Sequence, residues 1–559
     1  DSTRPVHYEG AQSITGYEDT RSVAIDPKWV DVRSRMYQSI TQMVKMANQE
    51  EDGRPVVWCE YAHSMGNSTG NLDEFWEAIR REKRLIGGFI WDWMDQALIK
   101  TDEEGNEYYA YGGDFGEKIH DGNFNLNGII NADQTPKPAT WEAKKIFQPI
   151  EVIPVTNPRD PKPHVYDIKN WHHFIDLSRY VANYAITEEG DTIARGEVKL
   201  PDVEPGEQQR LSFSLPGIKF KNGLDYYLNF SFRTKNYEPG LSKGHEVAWE
   251  QFKIDNPKSI EKEISDKMLR PLTVERTDTT LIINGMNFLV GFNTTSGWMQ
   301  SLSYNDLDML ESELKPNFWR ALTDNDERGH RIQDRYAPWK DAVSSAQLQR
   351  FEVLMKENQK VILLTQHELT AIESRVSLQY TINGKGEIKV DFELIPAEIL
   401  PELPRVGMQV AIPKKLDQWR WFGRGPHENY SDRKKSAAYG AYAINIIKDF
   451  FHYIKPQESN NRTGIKWANF TNMNGVGLKI ESSGEPLSMS AWPYTQQELN
   501  DKDHAHELVE SDFITVNIDH KQMGVGGDDS WTIFSRPHGP YRLDPVYYTY
   551  SYVISPVYE

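Results

Sequence analysis

Along the first 150 residues the apolar positions alternate between two periods. Pro55-Val56-Val57-Trp58-Cys59-Glu60 is a continuous apolar run that ends on a charge, the pattern of a strand buried on both faces. From about Asn71 to Arg84, Leu72, Phe75, Trp76 and Ile79 share one helical face. Gly88-Phe89-Ile90-Trp91-Asp92-Trp93 predicts another buried strand, and Lys137 to Phe147 a closing helix. Arg4 to Tyr8 and Trp29 to Tyr37 read as shorter strands, with a helical stretch from Ile40 to Asn48. Thr101 to Tyr111 predicts a hairpin turning at Glu104-Gly105-Asn106. Such alternation makes about four β-α units on a parallel sheet, either open and doubly wound or closed as a barrel. Four units are half of a (β/α)8 barrel, which would leave two open edges and an unfilled interior.

After Pro149 the period shortens to two. Runs such as Leu228-Asn229-Phe230-Ser231-Phe232 and Glu387-Ile388-Lys389-Val390-Asp391-Phe392 predict antiparallel sandwiches. Residues 151–256 fit an immunoglobulin-like β-sandwich of about a hundred residues. The Lys/Glu-rich stretch from Asn256 to Lys267 reads as a linker. Residues 257–559 then form one large antiparallel β-sandwich domain, with two smaller domains as the alternative.

Composition narrows the function classes. The 559 residues are 38% hydrophobic and 26% charged, a mix that builds cores. Sixty-three basic against 82 acidic residues give a net charge of −19, without the basic stripe that nucleic acid requires. No run reaches the roughly 18 apolar residues of a membrane span. Cys59 is the single cysteine, so no internal disulfide and no multi-cysteine zinc site can form. The first residue is Asp1 rather than methionine, so prior removal of a signal peptide stays open, as does the compartment, cytoplasmic or periplasmic.

In a barrel the reactive groups lie at the C-terminal ends of strands. Those ends carry Tyr37, Glu60 and the Trp91-Asp92-Trp93 cluster. Glu60 is either a salt-bridged structural carboxylate or a catalytic one. Around it the chain supplies Trp58, His63, Asn67, Trp91, Asp92 and Trp93. Flat indoles suit the apolar C–H face of a sugar, and carboxylate, His and Asn suit its hydroxyls. Singly, Trp58 reads as core and Asp92 as a loop brace; together the cluster favours a carbohydrate site over a phosphate site. Gly66-Asn67-Ser68-Thr69-Gly70 matches a nucleophile-elbow pattern, but the strand signal stops near Glu60, so a plain loop is expected. Gly524-Val525-Gly526-Gly527 has no helix behind it to bind a nucleotide. His504-Ala505-His506 lacks a paired metal motif and reads as a solvated segment.

Val57-Trp58-Cys59-Glu60-Tyr61-Ala62-His63-Ser64-Met65-Gly66-Asn67 closely resembles the nucleophile segment of glycoside hydrolase family 2 β-galactosidases of the large-subunit type. The resemblance continues through Gly87 to Gln96, Tyr111 to Gly116, Asn127-Gly128, Trp421 to Tyr430 and Met523 to Trp531, nearly the whole chain. It implies a retaining glycosidase acting on terminal β-D-galactosyl residues, lactose among them, with Glu60 as nucleophile and Tyr37 hydrogen-bonded to it. It further implies that His63 binds galactose hydroxyls, Trp91 floors the sugar, and Trp531 stacks on the second sugar. Asn127 and the Phe124 carbonyl would bind a sodium ion, with Asp121 supporting that loop. One departure matters: a retaining enzyme needs two carboxyls about 5–5.5 Å apart. The family's acid/base Glu lies in an Asn-Glu pair before the Arg-Pro-Val strand, where this chain starts; Asn106-Glu107, in the hairpin, is no substitute. The magnesium ligands also belong to that preceding part. The sequence is therefore identified as a C-terminal portion, expected to be inactive alone and homo-oligomeric when intact. A non-catalytic carbohydrate-binding or structural fragment, or another family 2 specificity, stands as the alternative; Gly-Gly-Asp-Asp-Ser-Trp favours galactosidase.

Overall fold

The computed structural model describes residues 3–10, 26–155, 165–212, 216–254 and 270–558. The expected linker at 256–267 lies outside the described residues. The first region is built on three parallel strands, β1 (Arg33–Arg35), β2 (Val56–Tyr61) and β3 (Leu85–Ile90), in that spatial order. Helices α1 (Ile40–Ala47) and α2 (Leu72–Arg81) form the two crossovers. In α2, Asp73 and Glu74 open the helix and Arg80 and Arg81 close it, each matching the helix dipole. Its buried Leu72, Phe75 and Ala78 face the sheet, where Phe75 meets Trp58 edge-on at 5.3 Å. Full burial of each such ring stabilises the fold by roughly 1.5–3 kcal/mol. Single bridges from His7 to Val32 and from Met94 to Ile130 extend the parallel pattern on both sides. The hairpin of β4 (Leu98–Thr101) and β5 (Glu107–Ala110) and helix α3 (Pro138–Ile146) lie where the sequence predicts them.

Three expected strands are shorter than predicted, and Arg4 to Tyr8 is reduced to the single His7–Val32 bridge. Between Trp29 and Tyr37 only Arg33–Arg35 forms a ladder, with Val32 in a single bridge before it: Val30 is turned back onto the Pro27 carbonyl, and Tyr37 adopts a φ of 47° that ends the extended chain. β3 stops at Ile90, so Trp91 and Asp92 belong to the loop that follows.

Beyond Pro149, strands β6 (Ile150–Pro154), β7 (Val165–Asn170), β8 (Tyr180–Glu188), β9 (Asp191–Val198), β10 (Gln208–Ser212), β11 (Tyr226–Thr234) and β12 (Glu246–Ile254) form two antiparallel sheets. Their orders are β10-β7-β6 and β12-β11-β8-β9. Alternate residues such as Tyr166, Ile168, Leu228, Phe230 and Phe232 point into a shared core. The remaining chain is antiparallel sheet as well, with a nine-stranded sheet running from Ala346–Glu357 at one edge to Ala438–Asn445 at the other among the described residues. Opposite it lies a five-stranded sheet that includes Arg405–Pro413 and Phe513–Gln522. A large apolar cluster that includes Phe392, Trp419, Trp421 and Ile518 fills this region, with a smaller one around Phe450, Trp492 and Tyr494.

Polar side chains of the last region fasten it to the parallel sheet. The Asp432 carboxylate accepts from the Val525 and Gly526 amides at 2.9 and 2.7 Å, and its carbonyl accepts from Asn71 N–H at 2.6 Å. Arg433 donates to the Ser68 carbonyl, to Asn67 Oδ1 at 2.6 Å and to Glu428 at 3.0 Å. Gly70 and Gly526 meet so closely that a Cβ on Gly526 would lie 2.3 Å from the Gly70 nitrogen. The turn expected to be a plain loop is thus buried under the last region, and its glycines are contact points.

Candidate active site

Parallel strands present all their C-terminal ends on one side, and Glu60 is there as the penultimate residue of β2. Tyr37 follows β1 and is tied to Glu60 twice. Its backbone N–H donates to the Glu60 carbonyl at 2.7 Å, and its hydroxyl to Glu60 Oε2 at 2.5 Å. Burial and the adjoining Glu60 carboxylate push the phenol far above its ordinary value, so it stays a proton donor. Burial raises the Glu60 carboxyl, the Tyr37 hydrogen bond opposes that, and the charges of Glu9 and Asp92 add to the rise.

His63 is buried two residues past β2 and lies edge-on to Tyr37, the ring centroids 5.8 Å apart. Its Nδ1 is 2.7 Å from the Ser530 hydroxyl, and its ring stacks on Phe124 at 5.2 Å. Burial, reinforced by the Arg328 charge, lowers its pKa to about 3, so the ring is neutral at physiological pH. Trp531 stands edge-on to Tyr37 at 4.8 Å and to His63 at 5.2 Å, and is 44% exposed.

Trp91, 38% exposed, lines a pocket of about 370 Å³ with Gln96, Asp121, Phe124, Asn125 and Asn127. Asn127 donates to the Phe124 carbonyl at 3.1 Å, while its buried Oδ1 has no hydrogen-bond partner. Two neutral oxygens, the Asn127 Oδ1 and the Phe124 carbonyl, are thus available to a hard cation such as sodium. Asp121 supports this loop through its main chain: its carbonyl accepts from Phe124 N–H at 3.3 Å and from Arg328 Nη2 at 3.0 Å. Among the described residues no group of three or more His, Cys, Asp or Glu side chains could hold a metal.

The structure separates the remaining cluster. Trp58 is core, fully buried, with its indole N–H on the Gln38 carbonyl at 2.7 Å. Asp92 braces its own loop, accepting from Gln96 Nε2 at 2.9 Å and from the Trp93 amide. Asn67 faces away from Glu60, bonded to the Tyr430 hydroxyl, the Glu458 carbonyl and Arg433. His504 is not solvated: it is buried, stacks on Tyr111 at 4.6 Å and sits 2.8 Å from Asp114. Sequence reasoning missed Ser530 and Arg328, whose 467- and 205-residue separations from His63 and Asn123 leave no local signal.

Three families match in tandem. "Glycosyl hydrolases family 2, TIM barrel domain" matches residues 1–152, "Beta-galactosidase, domain 4" residues 166–255, and "Beta galactosidase small chain" residues 284–554. A β-galactosidase of Priestia megaterium is 37% identical over 543 residues, which is 96% of this chain and 50% of that protein. Those of Halalkalibacterium halodurans and Pseudoalteromonas haloplanktis are 33% and 30% identical, over 95% and 99% of this chain and 50% and 54% of theirs. The chain spans about half the length of the curated relatives it matches.

Proposed function

We propose that the chain is a member of glycoside hydrolase family 2, in its β-galactosidase branch, and that it carries the nucleophile half of a retaining β-galactosidase site. The observation that carries the reading is the Glu60 carboxylate at a parallel-strand end, held by a buried phenol whose ring meets His63 and Trp531 edge-on. Residues 1–150 are read as the second half of a (β/α)8 barrel, 151–256 as an immunoglobulin-like sandwich, and 257–559 as a large β-sandwich domain. Ile86, Phe89 and Trp93, between 56 and 65% exposed in or just beyond β3, suit a sheet completed by further chain.

In this reading Glu60 attacks the anomeric carbon of a terminal β-galactoside as the glycosidic oxygen takes a proton and leaves. Water then cleaves the galactosyl–Glu60 ester, with net retention. Tyr37 keeps Glu60 oriented and ionised. Neutral His63 exchanges hydrogen bonds with sugar hydroxyls, Trp91 offers an apolar floor, and Trp531 a face for the second sugar. Asn127 and the Phe124 carbonyl would hold a sodium ion, which supplies a positive charge that orients a sugar hydroxyl. The acid/base carboxyl and the magnesium ligands are assigned to the half of the relatives' length that this chain does not span.

A 2-deoxy-2-fluoro-β-galactoside with a good leaving group should trap the ester in the intact protein. Peptide mapping is expected to find the added mass on Glu60. Label on any other residue overturns the assignment.

A further inference from the structure

The loop that carries Ser530 and Trp531 is joined to helix α2 through one imidazole. His538 Nδ1 lies 2.8 Å from Glu74 Oε2, and its Nε2 lies 2.9 Å from Asp528 Oδ1. A neutral imidazole has one donor, so a ring facing a carboxylate at each nitrogen must be the cation. The side chain is 22% exposed, Glu74 29% and Asp528 8%, so solvent screens the pairs only in part. Asn71 points its amide nitrogen at the same Nε2 from 3.4 Å while its Oδ1 has no partner. Turning that amide over puts an acceptor on the cation instead. Burial alone pulls the ring down, but the bonds to Asp528 and Glu74 more than offset it and hold it at about 10. The other charges facing the cluster are Asp73 on α2 and Lys435, which pair at 3.1 Å; the Tyr541 hydroxyl bonds Glu74.

Asp528 precedes Ser530 by two residues and Trp531 by three. Asp529 accepts from the Thr532 amide and hydroxyl within the loop. On the side of Gly526 the loop is fixed by Asp432. We propose that His538 is a positioning residue: its cation pins Asp528 to Glu74 of α2 and so sets Ser530 against His63 and Trp531 against Tyr37. The latch follows from geometry alone; its effect on turnover rests on the β-galactosidase reading.

Amide hydrogen exchange of residues 526–532 in the intact protein tests it, comparing wild type, His538→Gln and Glu74→Gln. Glutamine cannot bridge two carboxylates as a cation. Losing a charged, partly exposed hydrogen bond should speed exchange of the loop amides about tenfold, with β2 and α2 unchanged. Aryl β-galactoside kinetics should show KM raised about fivefold and kcat changed less than about twofold, because Trp531 contacts substrate rather than the reacting bond. Wild-type loop exchange, corrected for intrinsic rate, should rise as pH passes about 10, and the His538→Gln profile should stay flat. Unchanged loop exchange in both variants overturns the proposal, and so does equal acceleration throughout the protein. A loosened loop in a protein whose wild type does not cleave galactosides supports the latch and sinks the glycosidase reading.

Discussion

Replacing Tyr37 with phenylalanine removes one atom and one hydrogen bond, and the structure states what that bond does. The phenol donates to Glu60 Oε2 at 2.5 Å from a side chain only 6% exposed. A hydrogen bond to a charged group contributes about 1.5–3 kcal/mol; because Glu60 is half-buried, the lower end applies. Each pKa unit corresponds to about 1.4 kcal/mol, so the Glu60 carboxyl should rise by about one unit. The sign is fixed by the donor: the phenol stabilises the carboxylate, and its loss favours the acid. Burial and the Glu9 and Asp92 charges, which already raise Glu60, then act unopposed. The assay is kcat/KM against pH for an aryl β-galactoside with the intact protein. The acid limb should move up by about one unit in Tyr37→Phe while the alkaline limb stays. An unmoved acid limb, with the fold confirmed by circular dichroism, would refute the assignment of the hydrogen bond to nucleophile ionisation.

Glu60→Gln should abolish turnover of the intact protein, since an amide forms no glycosyl ester; near-normal aryl galactoside hydrolysis contradicts it. Arg433→Met strands Glu428 in a site where both side chains are within 2% of full burial, and should cost about 3–5 kcal/mol in denaturant unfolding. The pair Arg433→Met with Glu428→Gln should recover part of that loss, and a cost under about 1 kcal/mol for the single variant rules out the buried bridge as a fastener. His538 has its folded pKa raised from 6.5 to about 10, so its stabilisation is complete below about pH 6.5 and disappears as pH climbs through about 10. Thermal midpoints should therefore fall more steeply between pH 8 and about 10.5 in wild type than in His538→Gln; parallel curves would count against the doubly paired cation.

The strand that carries Glu60 was legible because a strand buried on both faces shows no alternation, and Val56-Val57-Trp58 shows none. Helix α2 was legible for the complementary reason, an apolar stripe on a charged helix. Trp91 was legible as a candidate site residue, but its place in a loop rather than a strand was not, because the apolar run continues past the last ladder bond at Ile90. Asn67 misled: an amide beside a nucleophile motif looks like a hydroxyl ligand, yet the last region claims it through Arg433 and Tyr430.

By itself, then, the sequence determined what short-range periodicity can encode: parallel β-α units first, antiparallel sheets after, and candidate reactive side chains at strand ends. It also carried the resemblance to a known family through contiguous motifs. Tertiary structure alone decided which distant residues lie against the candidate site. Ser530 on His63, Trp531 on Tyr37, Arg328 under the Phe124 loop and His538 between Glu74 and Asp528 all join the parallel sheet to the last region. Such pairings leave no trace in local pattern, because a hydrogen bond or ring contact depends on distance in space, and hundreds of residues of chain separate the partners on the parallel sheet from those in the last region.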